Sequence, residues 1–157
     1  MPNNDAQPLK LVRCTSSEHP QLREWFKALA SYEGRPDAVT ISPDRLETLL
    51  ETNAFEASFI QCGADIIGYT VTFPQTGTFT GETSLYLEDI FIDPQYRGRG
   101  FGTQVMKLLG RQAQAIGATS LSWSVLRTNR DAIQFYDKLG ATPLLAWGHY
   151  AIALKDL

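Results

Sequence analysis

Basic residues nowhere gather in this 157-residue chain: Lys and Arg total 14 against 17 Asp and Glu, for a formal net charge of −3. Phosphate backbones are gripped by concentrated Lys/Arg faces, so no nucleic-acid partner is expected. Histidine is equally scarce. His19 and His149 stand at no ligand spacing from each other or from Cys14 and Cys62, the only cysteines, so no metal site is expected. Two lone cysteines also make no disulfide framework, and read as free thiols of a reducing compartment. No stretch is apolar enough to cross a bilayer, and the polar start, Met1–Lys10, lacks the apolar centre of a signal peptide. These absences together predict a cytoplasmic protein with no membrane partner.

The length is that of one ordinary domain, and it suffices to bury a core without staples. Residues 1–8 read as a disordered leader and 9–157 as a single domain, with no internal repeat and no linker. Leu9–Cys14 is a short strand. Ser16 and Ser17 offer capping hydroxyls to a helix over Pro20–Tyr32 with Leu22, Phe26 and Leu29 on one face. Ser42-Pro43-Asp44 starts a second helix striped by Leu46, Leu49 and Leu50. Ala57–Gln61 and Ile66–Phe73 form a hairpin about Cys62-Gly63-Ala64-Asp65, and Ser84–Ile92 is the longest strand. A helix over Gly100–Ile116, a strand over Leu121–Leu126, a helix over Asp131–Leu139 and a final strand over Leu144–Leu154 complete the order β-α-α-β-β-β-α-β-α-β. Alternation in the second half predicts an α/β (α+β) fold, a mixed sheet with helices on its faces.

Between an apolar strand and an amphipathic helix lies Asp93-Pro94-Gln95-Tyr96-Arg97-Gly98-Arg99-Gly100-Phe101-Gly102-Thr103. Alternate glycines permit a tight turn and close approach of backbone to a ligand. The helix start adds unpaired N–H groups and a positive dipole end, which suit a pyrophosphate. Alone, this turn does not choose its ligand. It lacks the lysine of a Walker loop, and it follows the fourth strand rather than the first, where a dinucleotide fold carries its glycines. A purely structural turn is the alternative.

A second segment, Asn129-Arg130-Asp131-Ala132-Ile133-Gln134-Phe135-Tyr136-Asp137-Lys138-Leu139-Gly140-Ala141, also enters a helix from a strand. With both segments in view the chain resembles the GNAT acetyltransferase superfamily. Arg97, Gly100 and Gly102 match Arg/Gln-x-x-Gly-x-Gly/Ala, and Asn129, Ala132, Phe135, Tyr136, Gly140 and Ala141 match Asn-x-x-Ala-x-x-Phe-Tyr-x-x-x-Gly-Ala. The resemblance runs from about Leu9 to the C-terminus. It implies a mixed central sheet of about six to seven strands flanked by about four helices. It further implies an acetyl-CoA-dependent N-acetyltransferase without a metal, acting by direct transfer in a ternary complex. Leu85–Ile92, with Glu88 and Asp89, and Lys27–Glu33, ending in Tyr32 and Glu33, are similar to the diamine/thialysine (spermidine/spermine-type) branch.

The resemblance implies roles residue by residue. Tyr136 is the general acid that protonates the departing CoA thiolate, a feasible transfer between groups of pKa about 10 and 8.5; its alternative is a core aromatic. Glu88 accepts the proton of the amine or anchors it, with an ion pair to a structural arginine as alternative. Tyr32, Glu33, Glu88 and Asp89 bind the substrate; Trp123 lines its pocket or packs in the core. Ile90, Phe91 and Ile92 lie on the strand edge that meets the pantetheine amides. Arg97, Gly98, Arg99, Gly100, Phe101, Gly102 and Thr103 cradle the pyrophosphate. Asn129, with Ala132 and Tyr136, meets the rest of the cofactor arm, and Arg130 reaches a CoA phosphate or is simply a surface arginine.

The residues themselves demand an account of the carboxylate pair. Neighbours on a strand face opposite sides, so at least one of Glu88 and Asp89 points to a covered side or a cleft, and a buried carboxylate is costly without a partner. A small-molecule amine is such a partner. One departure from the polyamine-type pattern is the acid-free run Thr142–His149, which leaves a second cationic centre unserved and admits a shorter amine or an amino-acid-like substrate. A homodimer is implied by the resemblance, with the apolar Leu144–Leu154 region contributing. The competing readings are a protein or peptide N-acetyltransferase and a non-catalytic acyl-CoA-binding module.

Overall fold

Five extended segments of the described chain pair into one sheet. A computed structural model describes residues 8–157; the expected leader, apart from Pro8, lies outside the described residues. The strands are β1 (Leu9–Arg13), β2 (Glu56–Cys62), β3 (Asp65–Thr76), β4 (Thr83–Ile92) and β5 (Ser120–Trp123), side by side in that order. The first four run antiparallel to their neighbours, and β5 runs parallel to β4. The helices are α1 (His19–Tyr32), α2 (Pro43–Glu51), α3 (Phe101–Ala115) and α4 (Arg130–Lys138). The chain divides into two compact units, Met1–Ser124, which holds the whole sheet with α1 to α3, and Val125–Leu157, which holds α4.

Local signals account for most boundaries. The Ser42 hydroxyl accepts from the Arg45 N–H at 3.2 Å and starts α2. The hairpin between β2 and β3 closes on Cys62 opposite Asp65, with Gly63 at φ 61°. The cap before α1 lies one residue earlier than Ser16. Thr15 accepts the backbone at Glu18, and the Glu18 carboxylate accepts the Thr15 N–H at 2.8 Å, a reciprocal capping box around a short 3₁₀ turn.

Two cores flank the sheet. Leu22 of α1 with Leu46 and Leu50 of α2 pack on Phe59, Tyr69, Val71 and Phe91. On the other face Ala113 of α3 packs with Leu85, Ala118 and Leu121. Gln112 of α3 bonds Glu56 at 2.6 Å and the Thr72 hydroxyl at 3.5 Å, so this polar group on a core-facing helix is satisfied.

Two expectations are corrected. The sheet has five strands among the described residues, not six or seven, and the segment expected as a strand, Leu144–Leu154, forms none; the chain ends in a 3₁₀ turn, Leu154–Asp156. Apolar β-formers make a strand only when another strand supplies N–H and C=O partners, and no described strand pairs with this segment. Leu144, Leu145, Trp147, Tyr150 and Ile152 are accordingly exposed.

Gly68 of β3 sits opposite Ile92, where β4 ends. A Cβ there would overlap the Phe91 carbonyl oxygen and stand 3.1 Å from the Ile92 Cα, both fixed backbone. Gly68→Ala therefore lowers stability by about 1–3 kcal/mol, read as a reduced urea midpoint. An unchanged midpoint would remove the close approach of β3 to the end of β4 from this account.

Candidate active site

The carboxylate pair owes its placement to a register shift. Thr72 of β3 faces Leu87, but Val71 faces Asp89, so Glu88 is the extra residue of a β-bulge. A bulge inverts the side-chain alternation beyond it. Leu85 packs on the α3 side, whereas Phe91, an even number of residues later, packs on the α1/α2 side with Tyr69 and Val71. Asp89 shares the face of Val71 and Phe91. Glu88, at the bulge, is exposed.

Asp89 finds a partner there. The Tyr69 hydroxyl, on a fully buried ring, donates to Asp89 Oδ2 at 3.2 Å. Burial pushes the Asp89 carboxyl up to about 6; the Tyr69 bond opposes that rise, and the charges of Glu88 and Glu33 add to it. The Tyr69 phenol is pushed far up by burial first and by the Asp89 charge second. Glu33, Glu88 and Asp89 thus form one electrostatic group in the first unit, with Glu33 reaching it from the C-cap of α1.

Beside it the sheet opens. β5 pairs with β4 only from Ser84 opposite Ser120 to Leu87 opposite Trp123. Beyond Leu87, residues 88–92 have no described strand on that side, which leaves the backbone edge at Ile90 and Ile92 unpaired by strand. Trp123 is half-buried at the point of divergence, one pair before the bulge. The Phe91 side chain is core, so among Ile90, Phe91 and Ile92 it is the backbone that can meet an extended ligand.

The glycine turn follows directly. Asp93 caps a 3₁₀ turn, Pro94–Tyr96, by accepting the Gln95 N–H at 3.1 Å. Gly98 and Gly100 then take φ 74° and 77°, a left-handed conformation costly for any residue with a Cβ. Gly100 is the N-cap of α3; no side chain caps this helix, and no acid stands in its first turn. Its leading N–H groups therefore face outward without an internal anionic competitor, which fits the pyrophosphate of CoA. Phe101 is buried and contributes only its N–H. Both arginines are engaged: Arg99 donates to the Gln95 carbonyl at 3.3 Å, and Arg97 Nε donates to the Ile92 carbonyl at 2.8 Å. The Arg97 guanidinium lies 4.2 Å from the Tyr32 ring centroid.

In the second unit, Asn129 Oδ1 accepts the Ala132 N–H at 3.2 Å and caps α4, with Asp131 in the first turn. Tyr136 is half-buried on α4, its ring 5.3 Å from that of Phe135. Burial raises its phenol, which keeps the proton on at neutral pH.

The structure thus gathers Tyr32, Glu33, Glu88, Asp89, Ile90, Ile92, Arg97 and the turn through Thr103 around the end of β4. Tyr69 is the partner of Asp89 that sequence reasoning missed. It lies in an apolar strand and looks like core; only the bulge, a property of two strands together, brings Asp89 to its face.

Comparison with known proteins bears on the family and the fold. The model of the acetyltransferase (GNAT) family matches residues 19–141. The thialysine N-epsilon-acetyltransferase of Sus scrofa is 33% identical over 133 residues, covering 76% of this chain and 75% of that protein. The mouse thialysine N-epsilon-acetyltransferase is 31% identical over 149 residues, covering 86% and 85%. L-ornithine N5-acetyltransferase NATA1 of Arabidopsis thaliana is 29% identical over 71% of this chain and 42% of its own. Among solved structures, a soil-metagenome aminoglycoside acetyltransferase in complex with sisomicin superposes with a TM-score of 0.77 at 14% identity, over 92% of this chain and 97% of that one. The fold, the match over most of the chain and these relatives together make the protein a member of the GNAT acetyltransferase family, an acetyltransferase in its own right.

Proposed function

We propose that this enzyme, a single catalytic domain over residues 9–157, acetylates the side-chain primary amine of a small cationic substrate of the thialysine, ornithine or short-diamine type. The observation that carries the reading is the bulge at Glu88, which sets two adjacent carboxylates where β5 leaves β4, directly upstream of a strand edge that β5 does not cover and of the glycine turn. Acetyl-CoA supplies the activated acyl group. The backbone at Ile90 and Ile92 receives the pantetheine amides, residues 98–103 with the start of α3 hold the pyrophosphate, and the Asn129 carboxamide contacts the arm.

Tyr32, Glu33 and Asp89 hold the ammonium, with Trp123 beside it. An alkylammonium of pKa about 10 must lose a proton before its nitrogen can attack, and Glu88 accepts that proton directly or through water. Tyr136 donates its phenolic proton to the departing sulfur. Cys14, buried with its thiol pushed up to about 12, is no nucleophile, consistent with direct transfer.

The names of the relatives and the acid-free Thr142–His149 run support an amine shorter than a polyamine. The exposed apolar residues of the C-terminal segment support a homodimer, and the sequence composition a cytoplasmic location. Steady-state assays with acetyl-CoA against thialysine, ornithine, a short diamine, spermidine and a lysine-containing peptide test the reading. The first three are expected to give the highest kcat/KM. Turnover of the peptide alone would replace this reading with a protein acetyltransferase, and CoA binding without any turnover would leave a binding module.

A further inference from the structure

Three side chains from separate parts of the first unit cluster around Phe91. Trp25 and Tyr32, two turns apart on α1, flank Phe91 of β4 at ring separations of 6.0 and 6.2 Å. The Arg97 guanidinium completes the cluster, 4.2 Å from the Tyr32 centroid and 5.2 Å from that of Phe91. Its Nε is held by the Ile92 carbonyl, the last of β4 before the glycine turn. This arginine is the first residue of the glycine motif, and its guanidinium lies over the ring of Tyr32, the residue before Glu33.

We propose that Arg97 is a positioning residue that couples the two substrates. Its side chain ties the pyrophosphate turn to the end of α1 that carries Tyr32 and Glu33, so each subsite is held in shape by the other. The inference rests on the reading of Tyr32 and Glu33 as the amine side of the site. Coupling of this kind is reciprocal: whatever loosens the Tyr32 side must weaken CoA, and whatever loosens the turn must weaken the amine. An exposed guanidinium–aromatic contact corresponds to about a twofold to fivefold change in affinity. A lysine in its place keeps the charge but loses the guanidinium over the Tyr32 ring and the Nε bond.

Titration calorimetry with CoA alone, on wild type, Tyr32→Leu, Arg97→Met, Arg97→Lys and the Tyr32→Leu/Arg97→Met double variant, tests the coupling. Tyr32→Leu is expected to raise the CoA Kd about twofold to fivefold although it lies outside the turn. The double variant is expected to bind no more weakly than Arg97→Met alone, and Arg97→Lys is expected to match Arg97→Met. With thialysine and acetyl-CoA, Arg97→Met should raise both KM values and spare kcat, with Tm held to that of wild type. A Tyr32→Leu Kd equal to wild type, a double variant whose losses multiply, or wild-type binding by Arg97→Lys would overturn the proposal, the last by making Arg97 a plain phosphate charge. Wild type that binds CoA but turns over no thialysine would instead overturn the thialysine assignment, and the CoA cycle would still decide the coupling.

Discussion

Replacing Tyr136 by Phe is expected to cut kcat by about a hundredfold or more while the CoA Kd moves less than about threefold. The ring remains, with its packing on Phe135. The step at stake is departure of the sulfur. A proton delivered as the bond breaks assists departure of the thiolate, and a phenol whose burial keeps it protonated at neutral pH is in the donating form throughout the working range. Because the proton moves only as the bond breaks, its loss falls on kcat and not on ground-state binding. Single-turnover acetyl transfer with CoA binding measured alongside separates the two. A kcat within threefold of wild type would assign the proton to water and leave Tyr136 a packing residue.

Asp89→Asn is expected to make the protein more stable and the enzyme worse. Asp89 is raised from 3.8 to about 6 in the folded chain, chiefly by burial. The native state therefore holds a proton between those values that the unfolded chain has released, so stability falls as pH rises from 3.8 through 6 and stays lower above it. The shift corresponds to at most about 3 kcal/mol. Asparagine cannot ionise and can still accept from the Tyr69 hydroxyl, so the variant should gain about 1–2 kcal/mol over wild type at pH 8 and no such gain near pH 4. Urea midpoints across pH 4–8 read this directly.

The same ionisation governs the amine. Wild-type KM for the amine should fall as pH rises through about 6, where Asp89 becomes the partner of the ammonium; in Asp89→Asn it should be about tenfold higher at pH 8 and flat through that window. A variant no more stable at pH 8 would show that the buried charge is already repaid by its surroundings. A variant with wild-type KM would remove Asp89 from the substrate site.

Much of the protein is legible in local sequence, because local signals need no distant partner. Ser42-Pro43-Asp44 caps α2 by its own hydroxyl, Gly63 closes a two-residue hairpin, and the glycines at 98 and 100 take the left-handed angles that their spacing announces. The pair of segments at Arg97–Gly102 and Asn129–Ala141 suffices for the family, since their chemistry is carried by backbone turns and helix starts that a few residues specify. What sequence could not decide was pairing. The strand expected at Leu144–Leu154 has the right residues and no described neighbour, and strand structure is a property of two chains of atoms, not one. The bulge at Glu88 leaves no mark in Leu85–Ile92 itself; it arises from how β4 registers on β3. One inserted residue turned Asp89 from the α3 face to the α1/α2 face, gave it Tyr69, and set Phe91 where Tyr32 and Arg97 meet it. The sequence determined by itself the family and the local turns and caps; tertiary structure decided which way the candidate site residues face, because side-chain alternation is inherited through a strand only until a distant partner shifts its register.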